Sequence, residues 1–204
     1  MYVAIPKELD SLEPRVAATP GSVKQIIKSG LNVYVESGAG LKSFISDDAY
    51  KSSGATIINS SKELLNNADI TLKVLPPSSK EIDLLKEKSV FVSLCQTTRE
   101  LETVRNLTNK KISAFSMHLI PRTTLAQKMD ALSSQANIAG YKAVLIAASR
   151  LGVYMPLLMT AAGTIRPSKV LVLGAGVAGL QAIATAKRLG AQVEAFDVRP
   201  VVKE

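Results

Sequence analysis

The stretch Val170-Leu-Val-Leu173-Gly174-Ala-Gly176-Val-Ala-Gly179, running on through Leu180–Leu189, Gly190, Val193–Phe196 and Asp197, decides the fold. Val170 to Leu173 is a short apolar run and reads as a buried strand. Leu180 to Leu189 reads as a helix ended by Gly190, and Val193 to Phe196 as a second strand. Asp197 stands at the tip of that strand, 23 residues after Gly174. Each part has a physical reason: Gly174 permits a tight turn, Gly176 lets backbone approach a pyrophosphate, and Gly179 lets helix and strand pack closely. The helix start offers free N–H groups and a positive dipole end to phosphates. An acid at the second strand tip can accept hydrogen bonds from an adenosine ribose, which favours NAD over a 2′-phosphorylated cofactor. Glycines recur in ordinary turns; here strand, glycines, helix, strand and acid come in order, which selects a nucleotide-binding βαβ unit over a structural turn. A full domain of this kind takes on the order of 100 residues or more. Glu204 lies seven residues beyond Asp197, so the phosphate grip is expected without the later strands.

Upstream, short apolar runs alternate with amphipathic ones over the first 120 residues. Strands are predicted at Val3–Ile5, Val33–Val35, Thr56–Ile58, Ile70–Val74, Val90–Leu94 and Ala114–Met117. Between them, Thr19 with Pro20 opens a helix closed by Gly30, while Ser61, Ser79 and Thr98 are read as starts of three more. This rhythm implies a parallel sheet wound on both faces. From Ile120 to Ala126 there is no clean period, so the segment reads as a loop. A helix rich in Ala, Ser and Gly then runs from about Asp130 to about Leu151, and small side chains of that kind suit a helix between two domains. The expected architecture is therefore α/β, with two Rossmann-like, doubly wound parallel-sheet domains joined by a long helix. The first, Rossmann- or flavodoxin-like, covers residues 1–130; a bridging helix and linker cover 131–165; the start of a nucleotide-binding domain, incomplete at its C-terminus, covers 166–204.

Composition narrows the function. Hydrophobic residues make up 47% and charged residues 21%, ordinary for a globular chain. Lone Cys95 reads as a small core residue, and one Cys with one His, His118, makes no metal site. There is no basic segment followed by an apolar run at the N-terminus, and the long uncharged runs are broken by Gly and Pro, so neither a secretion signal nor a spanning helix is expected. The net charge of +8 comes from scattered lysines without interleaved aromatics, which reads as solvated faces and not a nucleic-acid surface.

The loop before the long helix carries Arg122, Gln127 and Asp130, a guanidinium, an amide and a carboxylate. Such a set can hold a neutral carboxamide or a phosphate; on spacing alone, a solvated loop with an Asp at a helix start explains it as well.

This loop, Met159-Thr-Ala-Ala-Gly163 and the Val170–Arg199 unit resemble the NAD(H)-binding component of proton-translocating nicotinamide nucleotide transhydrogenase. Ile5-Pro-Lys-Glu8 and Glu13-Pro-Arg-Val-Ala-Ala-Thr-Pro20 are similar to a wider group shared with alanine dehydrogenase. The resemblance covers essentially the whole chain. It implies that Arg122, Gln127 and Asp130 fold over the nicotinamide with Ser133 close by, orienting the ring without acid or base chemistry. It also implies that Gly174, Gly176, Val177, Ala178, Gly179, Asp197, Val198 and Arg199 hold the rest of NAD(H). Leu125 departs from the family, where a second basic residue is usual. The implied activity is direct hydride transfer from NADH on this chain to NADP⁺ held on a partner component. The implied partners are an NADP(H)-binding and a membrane component, with this component a homodimer, peripheral on the cytoplasmic side of the inner membrane. An alanine dehydrogenase would use Arg15 and Lys73 on its keto acid and a His as acid/base. The strand expected to carry that His reads Ser93-Leu-Cys-Gln96, which leaves no proton donor there. The alternatives kept are an amino-acid oxidoreductase and a truncated, non-catalytic binding module.

Overall fold

A computed structural model describes residues 1–200. The end of the sequence-based domain reading, residues 201–204, lies outside the described residues. Two compact units divide between Pro121 and Arg122.

In the first unit the strands are β1 (Tyr2–Ile5), β2 (Asn32–Glu36), β3 (Thr56–Ile58), β4 (Ile70–Leu72), β5 (Val90–Ser93) and β6 (Ser113–Ser116). Helices α1 (Pro20–Lys28), α2 (Asp47–Ser52), α3 (Ser61–Asn67), α4 (Ser79–Leu84) and α5 (Leu101–Asn109) make the crossovers. The sheet runs β3-β2-β1-β4-β5-β6 with every pair parallel. Successive strand residues point to opposite faces. Val3 and Ile5 of β1 accordingly join a core with Val23 of α1 and Tyr50 of α2, while Ala4 packs with Leu64 and Ala68 at α3. Both faces are covered, which is why strands such as β1 are apolar without alternation. The chain winds outward from β1 to β3 and then returns beside β1 as β4, so the topological switch point lies between β1 and β4.

Three helix starts differ from expectation. The capping residues are Ser60 and Ser78, each one position before the serine predicted, because the cap needs an extended backbone and an oxygen facing the amide three residues on. Ser78 and Glu81 form a reciprocal capping box. Thr98 caps nothing: α5 starts after Glu100, whose carboxylate accepts instead from the Gln96 amide at 3.2 Å. The short helix α2, capped by Ser46, was not anticipated; six residues are too few to show a helical period.

The second unit contains α6 (Ala131–Arg150), β7 (Leu158–Thr160), β8 (Gly163–Ile165), β9 (Lys169–Leu173), α7 (Val177–Arg188) and β10 (Gln192–Phe196). Strands β9 and β10 pair in parallel with Val170 opposite Val193, and α7 crosses between them. The segment read as a linker is an antiparallel hairpin of β7 and β8. Val144 of α6, Met155 and Ala186 of α7 form the buried centre of the unit, with Val170 and Val193 packed against it. The small residues of α6 meet α7: a Cβ at Gly140 would lie 2.1 Å from the carbonyl oxygen of Ala178. Leu171 and Leu173 point to the other face of β9 and are 62% and 75% exposed among the described residues.

Candidate functional site

The turn after β9 is built as its glycines demand. Gly174 has φ +100°, a conformation L side chains rarely adopt, and its N–H donates to the Phe196 oxygen at 2.7 Å. A Cβ at Gly179 would fall 1.7 Å from the Gly174 oxygen, so the first turn of α7 lies directly on the loop. At Gly176 the contrast is sharp: a Cβ there would meet only an Arg199 guanidinium nitrogen, at 3.9 Å. The backbone is thus open to a ligand at that point. Gly176 is the cap residue of α7, no side chain satisfies the helix start, and its first turn holds no acid. Free N–H groups, a positive dipole end and a first turn without acidic residues suit a phosphate. By those features the residues present fit a dinucleotide.

Asp197 at the tip of β10 closes the turn. Its Oδ2 accepts from the Ala175 amide at 2.7 Å and from an Arg199 guanidinium nitrogen at 2.9 Å; its Oδ1 accepts from the Arg199 amide and Nε, both at 2.9 Å. Arg199 foremost, and then the backbone amides, hold the Asp197 carboxyl far below the usual carboxylate range.

Two clefts share Arg122 and Ser133, and one of them adjoins this turn. One, of about 390 Å³, is lined by those residues with Leu173, Gly174, Gly176 and Gly179. The other, of about 280 Å³, is lined by them with Thr123, Thr124, Gln127 and Asp130. Asp130 caps α6: Oδ1 accepts from the Ser133 amide at 2.9 Å and Oδ2 from its hydroxyl at 2.6 Å. These bonds, the hydroxyl first, lower its pKa, and the Arg122 charge nearby adds to the effect. Gln127 stands exposed in a single 3₁₀ turn ahead of the cap. The structure therefore brings Arg122, Gln127, Asp130 and Ser133 round one cleft, and Arg122 and Ser133 also line the glycine turn with Val177 and Ala178. Val198 lines neither cleft and is largely exposed, as is Leu125.

Sequence reasoning took the small residues of α6 as letting other elements approach closely, but singled out neither Gly140 nor the Asn137–Gln181 hydrogen bond of 3.1 Å that ties α6 to α7. A glycine inside an otherwise regular helix was the available signal for the first. The amide pair had none.

In the first unit, the residues beyond the ends of β1 and β4 are engaged with one another. Lys73 Nζ lies 2.6 Å from Glu81 Oε1 and 3.6 Å from Glu8 Oε2, and Glu8 Oε1 accepts from the Val74 amide at 2.7 Å. Burial pushes the Glu8 carboxyl up, against the pull of Lys73. The Arg15 guanidinium binds Glu13 at 2.6 and 2.7 Å. Arg15 and Lys73, the two groups an alanine dehydrogenase would turn to its keto acid, are thus both held by the chain's own carboxylates. Cys95 is buried, its thiol pushed up to about 11 by burial and by Glu100, a state that disfavours the reactive thiolate. No described helix is long and apolar enough to cross a membrane.

Comparison with known proteins shows the family. Residues 4–139 match the family model described as alanine dehydrogenase/PNT, N-terminal domain, and residues 143–204 match its C-terminal domain. The chain is 47% identical over 204 residues to NAD(P) transhydrogenase subunit alpha of Haemophilus influenzae, covering all of this chain and 40% of that one. It is 33% identical over 202 residues to alanine dehydrogenase of Bacillus subtilis, covering 97% of this chain and 52% of the relative. A solved transhydrogenase from Sinorhizobium meliloti superposes with a TM-score of 0.96 at 46% identity, over all of this chain and 58% of that one. The chain thus spans between 40% and 58% of the length of these relatives. With both family models matched in order and the α/β architecture in place, the chain belongs to the alanine dehydrogenase/PNT family.

Proposed function

We propose that this chain is the NAD(H)-binding part of a proton-translocating transhydrogenase, passing hydride directly from NADH to NADP⁺ held on a partner component. The observation that carries the reading is the pair of clefts sharing Arg122 and Ser133, one on the glycine turn and one on the Arg122–Asp130 loop. Gly174, Gly176, Val177, Ala178 and Gly179 would hold the pyrophosphate at the start of α7. Asp197, Val198 and Arg199 would meet the adenosine ribose, and Arg122, Gln127 and Asp130 the nicotinamide carboxamide, with Ser133 fixing the Asp130 carboxylate. When bound, the cofactor supplies the hydride.

This chain's residues need then only position a ring. Proton donation is unnecessary between two nicotinamides, which accords with Ser93-Leu-Cys-Gln96 where an alanine dehydrogenase is expected to carry its His. Holding reactants at a near-attack separation of about 3–3.5 Å is itself a large rate effect. The greater similarity to transhydrogenase subunits than to alanine dehydrogenases, 47% against 33%, supports the same choice. The partners proposed are the NADP(H)-binding and membrane components, with this component a homodimer on the cytoplasmic side of the membrane.

The test is NADH binding followed by nicotinamide fluorescence, then hydride transfer to an NADP⁺ analogue with the NADP(H)-binding component added. Gln127→Ala is expected to slow transfer at least tenfold while leaving adenosine-nucleotide binding within about twofold. Alanine-dependent formation of NADH by the wild-type chain would overturn the reading in favour of an amino-acid oxidoreductase.

A further inference from the structure

The candidate site contains a cation whose charge is already engaged. Through its backbone amide, Nε and a terminal nitrogen, Arg199 makes three bonds to the Asp197 carboxylate, each 2.9 Å. Two of these use the Nε edge of the guanidinium, one of the two edges by which an arginine can grip a phosphate. The arginine side chain is 57% exposed while its partner carboxylate is 10% exposed, so the guanidinium sits on the solvent side of the acid. It also reaches towards the open backbone at Gly176, where a Cβ would lie 3.9 Å from its nitrogen. An arginine in this place is the group by which nucleotide sites of this architecture accommodate a ribose 2′-phosphate, and an acid is the group by which they accept the plain ribose. This chain carries both, bonded to each other.

We infer that the Asp197–Arg199 pair, and not Asp197 alone, sets the cofactor preference: Arg199 is a masked 2′-phosphate ligand that Asp197 holds out of use. The inference rests on the nucleotide-site reading above. A 2′-phosphate entering the wild-type site must either compete with a carboxylate for that guanidinium edge or take the remaining edge with that like charge beside it. Asp197→Asn removes the charge and keeps an oxygen for the Ala175 amide, which releases the guanidinium. Exposed to a phosphate, it can form the bidentate pair that arginine favours.

The experiment measures NADH and NADPH dissociation constants by nicotinamide fluorescence for the wild-type chain, Asp197→Asn, Asp197→Asn/Arg199→Met and Arg199→Met, with circular dichroism to confirm folding. Asp197→Asn is expected to move the NADPH-to-NADH affinity ratio at least tenfold towards NADPH. The double variant should lose that gain, and Arg199→Met alone should move the ratio further towards NADH because Asp197 is left unpaired. The gained NADPH affinity should fall more steeply with salt than NADH affinity does. An unchanged ratio in Asp197→Asn, or a gain that survives loss of Arg199, overturns the inference. If Asp197→Asn fails to fold, a ratio unmoved by Arg199→Met overturns it equally. Should the wild-type chain bind NADH while these ratios stay fixed, only this inference falls. Should it bind neither cofactor, the nucleotide-site reading falls first and takes this inference with it.

Discussion

Replacing a helical glycine by alanine ordinarily stabilises a helix by about 1 kcal/mol. Gly140→Ala in α6 is expected to do the opposite. Its Cβ would lie 2.1 Å from the Ala178 oxygen, 2.9 Å from the Ala178 carbonyl carbon and 3.0 Å from its Cα, all backbone atoms. Ordinary Cβ contact begins near 3.4 Å, so the two helices must part locally by roughly 1.3 Å. Helix α7 has little room to retreat towards the turn, because Gly179 already lies against the Gly174 carbonyl. The displacement therefore falls on α6. It would stretch the 3.1 Å Asn137–Gln181 bond beyond hydrogen-bonding range and loosen Val144, one turn further on, from its buried cluster. Overpacking of this kind costs about 1–3 kcal/mol, and partial loss of a buried valine about 1–2 kcal/mol more. Set against the propensity gain, the net loss is about 1–4 kcal/mol, centred on 2–3 kcal/mol. Hydrogen exchange followed by mass spectrometry reads this locally. Amides of α6 and α7 should lose roughly 30- to 150-fold protection while those of β1 and β4 keep theirs. Gly21→Ala in α1 is the control, since its Cβ would meet only the Thr19 hydroxyl at 3.7 Å and should be neutral or stabilising. Protection in α6 that is unchanged or raised by Gly140→Ala would refute the reasoning.

The buried charges of the first unit yield two further expectations. Lys73→Met strands Glu8 and Glu81 without their shared cation, at side-chain exposures of 3% and 9%, and should cost about 3–5 kcal/mol in urea unfolding at neutral pH. A loss under about 1 kcal/mol would show that water reaches the cluster. Glu8→Gln tests the sign of the pH effect. The folded pKa of Glu8 is raised by burial, so its contribution to stability is present below the unfolded carboxylate pKa and is lost as pH rises through the folded one. The stability of Glu8→Gln relative to wild type should therefore rise from acid towards neutral pH and then level off. A relative stability that falls over the same range would place Glu8 among the carboxylates that gain from ionisation, as Asp69 does beside Lys86.

Much of the first unit was legible in residue patterns. All six strands of its sheet fall on predicted apolar runs, since short runs of apolar residues report burial in the central strands, while β6 at the sheet edge is mostly exposed. Helix starts were legible to within a residue where Thr19 and Asp130 cap, because a capping side chain acts on amides only two or three positions away. Where two serines stood together, as at Ser60–Ser61 and Ser78–Ser79, composition left the choice open and backbone conformation made it. The hairpin of β7 and β8 was missed for a related reason: two three-residue strands, mostly exposed, leave no alternation to read.

The glycine turn belongs to the sequence alone, because its strand, glycines, helix and acid interact over a span short enough for spacing to specify geometry. Gly174 needs its positive φ and Gly179 its missing side chain whatever else surrounds them. Partnerships between distant residues are another matter. That Lys73 is shared by Glu8 and Glu81, that Gly140 seats α6 on α7, and that Arg122 and Ser133 line both clefts depend on how separate elements pack. Periodicity states which face of an element is apolar but not which element covers it, and a charge can find its partner only once the intervening chain has folded. Folding likewise turned Asp197 and Arg199, two charged residues two positions apart in the sequence, into a single hydrogen-bonded pair at the mouth of the turn.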